Sequence, residues 1–326
     1  MKNLIILTCF ILPEILFGMR KEQTRNMAKI VVTAPVGIDP QPLQVEYWDE
    51  IVNINNATRA KNINSFSVGV KDGQYSFQIP ARETSYFRFS WLEDGVARPM
   101  RDKLVFKIDP GDEVTITGSK SEDLSFQGKG SEKYRIWWDI VLCDLESNYQ
   151  WQKDKSSFNK RSISSVISWV KDKFEYINSR KLSLLNEYKS RLSKEDFFRM
   201  KLDILAQDHI ENLKMIHFHL VFPEYTYFQD CPSPEFQRSK SKELLESMCI
   251  TESFSEKNML RSIYYPSYLA YRSRLLIEQN DKFDYDGLFT GYSGRLKERL
   301  LTVFFINQLG ILSTEQIDAC RERLGK

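Results

Sequence analysis

The residues of this chain that could carry chemistry are three histidines, five cysteines and several short loops containing glycine, serine or aspartate. His209, His217 and His219 fall close together, which suggests a metal. Ligands on one helix face must lie three or four residues apart, however, and His217 and His219 point to opposite sides. His209 falls inside an apolar helical stripe, so it is expected to be a packed, hydrogen-bonded core residue. Gly128-Lys129-Gly130-Ser131 resembles a fragment of a phosphate-binding loop. The full pattern needs glycine where Asp123 stands and Ser or Thr where Gly130 stands, so the run is read as a turn between domains. Gly291-Tyr292-Ser293-Gly294 lacks the G-x-S-x-G spacing of a nucleophile elbow. Asp281, Asp284 and Asp286 are interrupted by Lys282 and Phe283, and no glutamate closes a calcium loop. No nucleophile stands beside an orienting base, so no catalytic residue, metal ligand or cofactor is assigned.

The cysteines are Cys9, Cys143, Cys231, Cys249 and Cys320, and no two of them have metal-type or C-x-x-C spacing. Cys143 and Cys320 lie on or beside apolar helical faces, where a free thiol packs as a small hydrophobe. Buried thiols are the first reading and a Cys231–Cys249 disulfide is the lesser alternative. Residues 222–236 are rich in proline and aromatics and read as an ordered loop. Within it Tyr225, Tyr227 and Phe228 are the candidate surface for a ligand or partner. Trp137, Trp138 and Trp169 have the helical spacing of core residues. Arg295, Lys297 and Arg299 read as the wet face of a helix.

The elements that must position these residues divide at residues 104–138. Before that stretch the hydrophobic period is two. Strands are predicted at 30–33, 43–48, 65–70, 74–79, 86–91, 104–108, 114–117 and 124–126. The clearest hairpin joins 65–70 to 74–79 through Asp72-Gly73, a dipeptide that favours positive φ. Asp109-Pro110-Gly111-Asp112 is a further strong turn. Ser131 is a plausible N-cap for the first helix, whose apolar face is Tyr134, Trp137, Trp138, Val141, Leu142, Leu145 and Tyr149. A second helix is predicted over 163–188. A third starts near Ser193 and carries the stripe Phe198, Leu202, Leu205, His209, Leu213, Ile216 and Leu220. Shorter helices follow at 242–248, 257–264, 266–278, 294–307 and 314–324. The fold class is therefore α+β: an N-terminal antiparallel β-sandwich or open barrel over 27–127, then an α-helical domain over 131–326.

Lys and Arg number 46 against 44 acidic residues, so no net field draws nucleic acid, which is excluded as an expected partner. Lys2 followed by the apolar run 4–12 and Gly18 has the layout of a signal peptide over residues 1–18. Export to the periplasm or cell envelope follows from that; a cytosolic protein with a hydrophobic N-terminal segment is the alternative. No later stretch is apolar for long enough to form a membrane helix.

Several runs together resemble the N-terminal accessory region of exported thiol-disulfide oxidoreductases of the TlpA/ResA-like thioredoxin family. The residues that carry the resemblance are Gly73-Gln74-Tyr75-Ser76-Phe77, the run from Ile108 through Asp109-Pro110-Gly111-Asp112 to Ile116, Phe126-Gln127-Gly128-Lys129-Gly130-Ser131, and the run from Tyr292 to Thr302. The resemblance implies a small β domain and a helical segment placed ahead of a thioredoxin fold. The family's W-C-x-x-C motif is absent here, so no redox residue carries over. What the resemblance implies is a non-catalytic accessory or interaction region, with an envelope protein or a separate thioredoxin-fold domain as partner. Two other readings stay open. One is a stand-alone envelope module that binds a peptide or glycan through Tyr225, Tyr227 and Phe228; the other is an enzyme with an unrecognised site.

Overall fold

The computed structural model describes residues 26–34, 41–49, 63–82, 85–93, 96–99, 104–118, 124–154, 163–221, 233–280 and 291–308. The predicted signal peptide, the 314–324 helix, the Asp281–Asp286 loop and the surface formed by Tyr225, Tyr227 and Phe228 lie outside these residues. The architecture is α+β, with strands first and helices after. Contacts divide the chain into two units. The boundary falls inside the first helix, with Leu142 grouped with the strands and Cys143 with the later helices.

The strand unit holds two sheets. Strands β1 (Met27–Thr33), β4 (Gln74–Pro80), β8 (Glu113–Thr117) and β9 (Ser125–Lys129) form one, in the order β4-β1-β8-β9. The other has the order β3-β2-β5-β6, from Asn64–Val68, Leu43–Trp48, Tyr86–Glu93 and Val96–Pro99, with β7 (Phe106–Lys107) also paired to β5. Strict alternation makes β4 a strand with one wet face: Tyr75, Phe77 and Ile79 are buried, while Ser76 and Gln78 are exposed. The two sheets meet through aromatic side chains, with ring centroids 6.4 Å apart for Phe77 and Phe87 and 5.7 Å for Phe106 and Phe126. Edge-on contacts of this kind add to the area term of burial.

Three details differ from the sequence reading. The Asp72-Gly73 turn forms, with φ of 52° and 73° and reciprocal bonds between Lys71 and Gln74. The strands it joins do not pair along their length, however: β3 pairs with β2, and β4 with β1. Both alternating sets face the same core, so the turn carries the chain from one sheet to the other; Phe66 and Phe77 then meet across the gap at 5.9 Å. Second, the sheets are not wholly antiparallel, because β1 runs parallel to β8, with Ile30 opposite Val114. Third, β6 was not legible, being four residues long and ending in a proline at the sheet edge.

The helices are α1 (Ser131–Asp154), α2 (Ile163–Glu187), α3 (Lys194–Val221), α4 (Pro234–Ser247), α5 (Glu256–Arg261), α6 (Tyr265–Asn280) and α7 (Gly294–Gln308). Ser193 starts α3, its hydroxyl accepting from Asp196 N at 3.0 Å. Ser255 caps α5 in the same way through Asn258 N. Pro266 sits in the first turn of α6, where its missing N–H costs nothing. Helix α3 packs against α2, α4, α5 and α6. Its buried residues therefore extend well beyond the single predicted stripe, to Met200, Ile204, Ala206 and Ile210 and to the polar Arg199, Asp203, Asp208 and Asn212. In the second half of α1 the predicted face also fails. Leu145 and Tyr149 are exposed, and Ser147 and Trp151 turn inward instead. Among the described residues no helix is long and apolar enough to cross a membrane.

Candidate functional site

Two buried polar clusters, one in each unit, bring charged side chains together among the described residues. The first is built on the Asp109-Pro110-Gly111-Asp112 turn between β7 and β8. Asp112 N donates to Asp109 O at 3.1 Å, and Asp109 N donates to Asp112 Oδ2 at 2.8 Å, which closes the turn from both sides. Gly111 has the positive φ (79°) that the turn demands. Lys107 reaches Asp109 Oδ1 at 2.8 Å, and its Nζ also lies over the Tyr86 ring. From the first turn of α1, Lys133 bonds Asp109 and pairs with Asp112 Oδ2 at 2.7 Å. The Tyr134 hydroxyl donates to the same oxygen. Burial pushes the Asp109 carboxyl up, but the Lys107 and Lys133 ammonium groups outweigh it and hold the group well below the usual carboxylate range.

The glycines of the Gly128-Lys129-Gly130 run serve this cluster and do not form a phosphate cradle. A Cβ on Gly130 would lie 2.1 Å from Asp112 Oδ1, and one on Gly128 would lie 2.2 Å from Glu113 O. Both residues have positive φ, 100° at Gly128 and 82° at Gly130. The chain thus passes so close to the Asp109–Asp112 turn that only glycine fits. Helix α1 begins at Ser131 itself, directly after Gly130, so Ser131 is its first residue and not the residue preceding it. An aspartate beside this end of the helix is also favoured by the helix dipole.

The second cluster lies among the later helices. The Lys181 ammonium on α2 is 1% exposed; it pairs with Asp208 on α3 and, at 3.2 Å, with Asp144 on α1. Burial alone would lower Lys181, but the two carboxylates outweigh it and raise the group. Asp203 on α3 is fully buried and gathers the junction of α5 and α6. Its Oδ1 accepts from the Ser262 hydroxyl at 2.6 Å, Ile263 N at 2.7 Å and Tyr264 N at 3.4 Å, while Arg199 pairs with Oδ2 at 2.9 Å. Burial pushes the Asp203 carboxyl up, and Arg199 with these donors works against it. The Ser262 hydroxyl also accepts from Tyr265 N, so one serine ends α5 and starts α6.

His209 is half-buried and packs on the Tyr268 ring, centroids 5.7 Å apart, and burial pushes its pKa down to about 4. His217 Nδ1 is hydrogen-bonded to the Tyr271 hydroxyl. Nothing is described of the His219 side chain. Among the described residues no group of His, Cys, Asp and Glu could hold a metal ion. Burial pushes Tyr268 up to about 12, and its hydroxyl donates to Met248 O at 2.8 Å. Trp137 and Trp138 are core, whereas Trp169 is half-buried against Trp151. Cys143 and Cys249 are free, half-buried thiols, so Cys249 does not form the alternative disulfide; Cys231 and Cys320 lie outside the described residues. Burial pushes the Cys143 thiol up, against the Ser147 hydroxyl and the Arg180 and Lys181 cations. A redox-active thiol needs the opposite shift.

The Arg295, Lys297, Arg299 run is not a single wet face. Arg295 is exposed, but Arg299 is 4% exposed, one turn further along α7 where that helix packs on α5 and α6. These buried charges were not foreseen. The only available signal was a charged residue set at i, i+4 spacing among apolar ones, as Arg199 and Asp203 stand between Phe198 and Ile204. Chemically, the two clusters join elements and fix helix starts. Perturbed pKa values arise from ion-pair networks as well as from catalysis. Comparison with known protein families gave no matching family model, and comparison with curated proteins gave no match.

Proposed function

We propose that this chain is the accessory region of an exported TlpA/ResA-like thiol-disulfide oxidoreductase, acting in the cell envelope as a scaffold for partner docking or domain positioning. The partner is a thioredoxin-fold domain that supplies the W-C-x-x-C chemistry. One observation carries this reading. The runs through Asp109-Pro110-Gly111-Asp112 and Gly128-Lys129-Gly130-Ser131, which hold much of the resemblance, fold into one clamp that sets the start of α1. Their residues serve shape, which is what an accessory region would share with its relatives. The upward shift of the Cys143 thiol supports the same reading, since it disfavours thiolate chemistry there.

The test is a disulfide-reduction assay on the purified chain with dithiothreitol as reductant. The chain alone is expected to give no turnover above the reductant. Cross-linking of the tagged chain in cell-envelope fractions is expected to trap a protein carrying W-C-x-x-C. Turnover by the chain alone, or its recovery only from the cytosol, overturns the proposal.

A further inference from the structure

The charge balance at the α5–α6 junction leaves one buried guanidinium over. Arg199, Arg261 and Arg299 are 2%, 7% and 4% exposed. Arg199 is matched by Asp203 and approached by Asp196, and Arg261 is matched by Glu195 at 3.0 Å, which Lys257 shares. Arg299 makes one long hydrogen bond, Nη2 to Ser262 O at 3.4 Å, and its Nε and Nη1 have no hydrogen-bond partner among the described residues. Ser262 is the residue whose hydroxyl starts the 16-residue helix α6. The unpartnered donors therefore sit at the N-terminal end of that helix, where the backbone dipole also favours negative charge. Asp203 occupies the Ile263 and Tyr264 N–H groups and is itself held by Arg199. Leaving a guanidinium buried without a counter-charge is costly, and buried donors in folded proteins nearly always find acceptors.

We propose that Arg299 and the start of α6 form a binding site for a small oxyanion, a phosphate or a carboxylate, held by the donors of Arg299. A guanidinium suits such a ligand because its N–H groups match the spacing of two oxygens. Arg295, one turn earlier on α7, is exposed.

The test is thermal unfolding of the full chain at pH 7 in phosphate, acetate or chloride at matched ionic strength. At tenfold excess of phosphate over its Kd, Tm should rise by roughly 2 °C relative to chloride. Phosphate also stabilises proteins generally through exclusion from their surfaces, so the variants decide the matter. Arg299→Met should lose the saturable part of the rise while melting no lower than the wild type in chloride. Arg295→Gln should keep the rise. If Arg299→Met does not fold, Arg299→Lys, which keeps the charge but loses the fork, should need about tenfold more phosphate. A saturable response to acetate and none to phosphate assigns the site to carboxylates, and equal responses to both mean that it takes either oxyanion; both support the proposal. No saturable response to either anion in the wild type, or the same response in Arg299→Met, overturns the proposal.

Discussion

The Tyr134 hydroxyl donates to Asp112 Oδ2 at 2.8 Å, and the other oxygen of that carboxylate lies where a Gly130 side chain would have to stand. One aspartate between two strands thus sets both where α1 begins and how it is held. Replacing Gly130 by alanine forces a Cβ to within 2.1 Å of Asp112 Oδ1 at a φ of 82°. The expected loss is about 3 kcal/mol of unfolding free energy in urea, from strain and a displaced carboxylate. Gly73→Ala has the same backbone problem with open space around it, so it should cost only about 1 kcal/mol. Equal losses at the two positions would mean that the contact with Asp112 is unimportant.

Lys133 is the second handle on that carboxylate. Lys133→Met removes a cation that is 9% exposed, so that Asp112 loses its ammonium partner while Asp109 keeps Lys107. The expected cost is about 3–5 kcal/mol. Tyr134→Phe removes one hydrogen bond to a charged acceptor and should cost about 1.5–3 kcal/mol. The pH dependence follows from Asp109, whose carboxyl is held below its ordinary value when folded. Its contribution is fully present above the unfolded carboxylate pKa of about 3.9 and is lost as the pH falls further toward the folded value. Asp109→Asn should therefore flatten the acid limb of stability against pH; an unchanged limb would assign the acid lability to other groups.

How much of this was legible follows from the kind of signal each feature leaves. Strict alternation in residues such as Tyr75, Phe77 and Ile79 gives away a strand with one wet face, and the 3.6 period gives away α1 through its buried Trp137 and Trp138. Alternation does not name a strand's partner. The Asp72-Gly73 turn is therefore readable, while the crossing of its two strands into different sheets is not. The parallel pairing of β1 with β8 is equally silent, because Ile30 and Val114 are typical of either direction. Buried charge is the hardest to read. Lys181, Asp208 and Arg299 look like solvent-facing residues until packing from several sides closes over them, as it does around α3. In the second half of α1, Asp144 pairs with Lys181 while Leu145 and Tyr149 are left outside, against their hydrophobicity.

His209 gives a second pH dependence of opposite origin. Burial against Tyr268 pushes it down to about 4, whereas the unfolded chain titrates near the ordinary value of 6.5. Between those values the unfolded state binds more protons, so stability rises with pH across the window and is lost as the pH falls from about 6.5 toward 4. The shift corresponds to on the order of 3 kcal/mol. His209→Phe, which keeps an aromatic ring against Tyr268, should remove this slope while leaving stability at pH 7.5 within about 1.5 kcal/mol. The measurement is a series of urea midpoints from pH 4.5 to 7.5. A variant that keeps the slope would show that His209 is not its source.

The Lys181 pairs allow the sharpest separation of charge from packing. Lys181→Met removes the cation that pairs with the buried Asp208 and with Asp144. It should cost about 3–5 kcal/mol. Asp208→Leu alone leaves Asp144 at 3.2 Å as a remaining partner for the lysine and should cost less. The double variant replaces both buried charges with side chains that pack. It should recover at least about 2 kcal/mol relative to the sum of the two single changes, because desolvating the pair offsets most of its attraction. A double-mutant cycle in urea reads the coupling directly. Strict additivity would mean that Lys181 and Asp208 act independently, in which case the ion pair is not what joins α2 to α3.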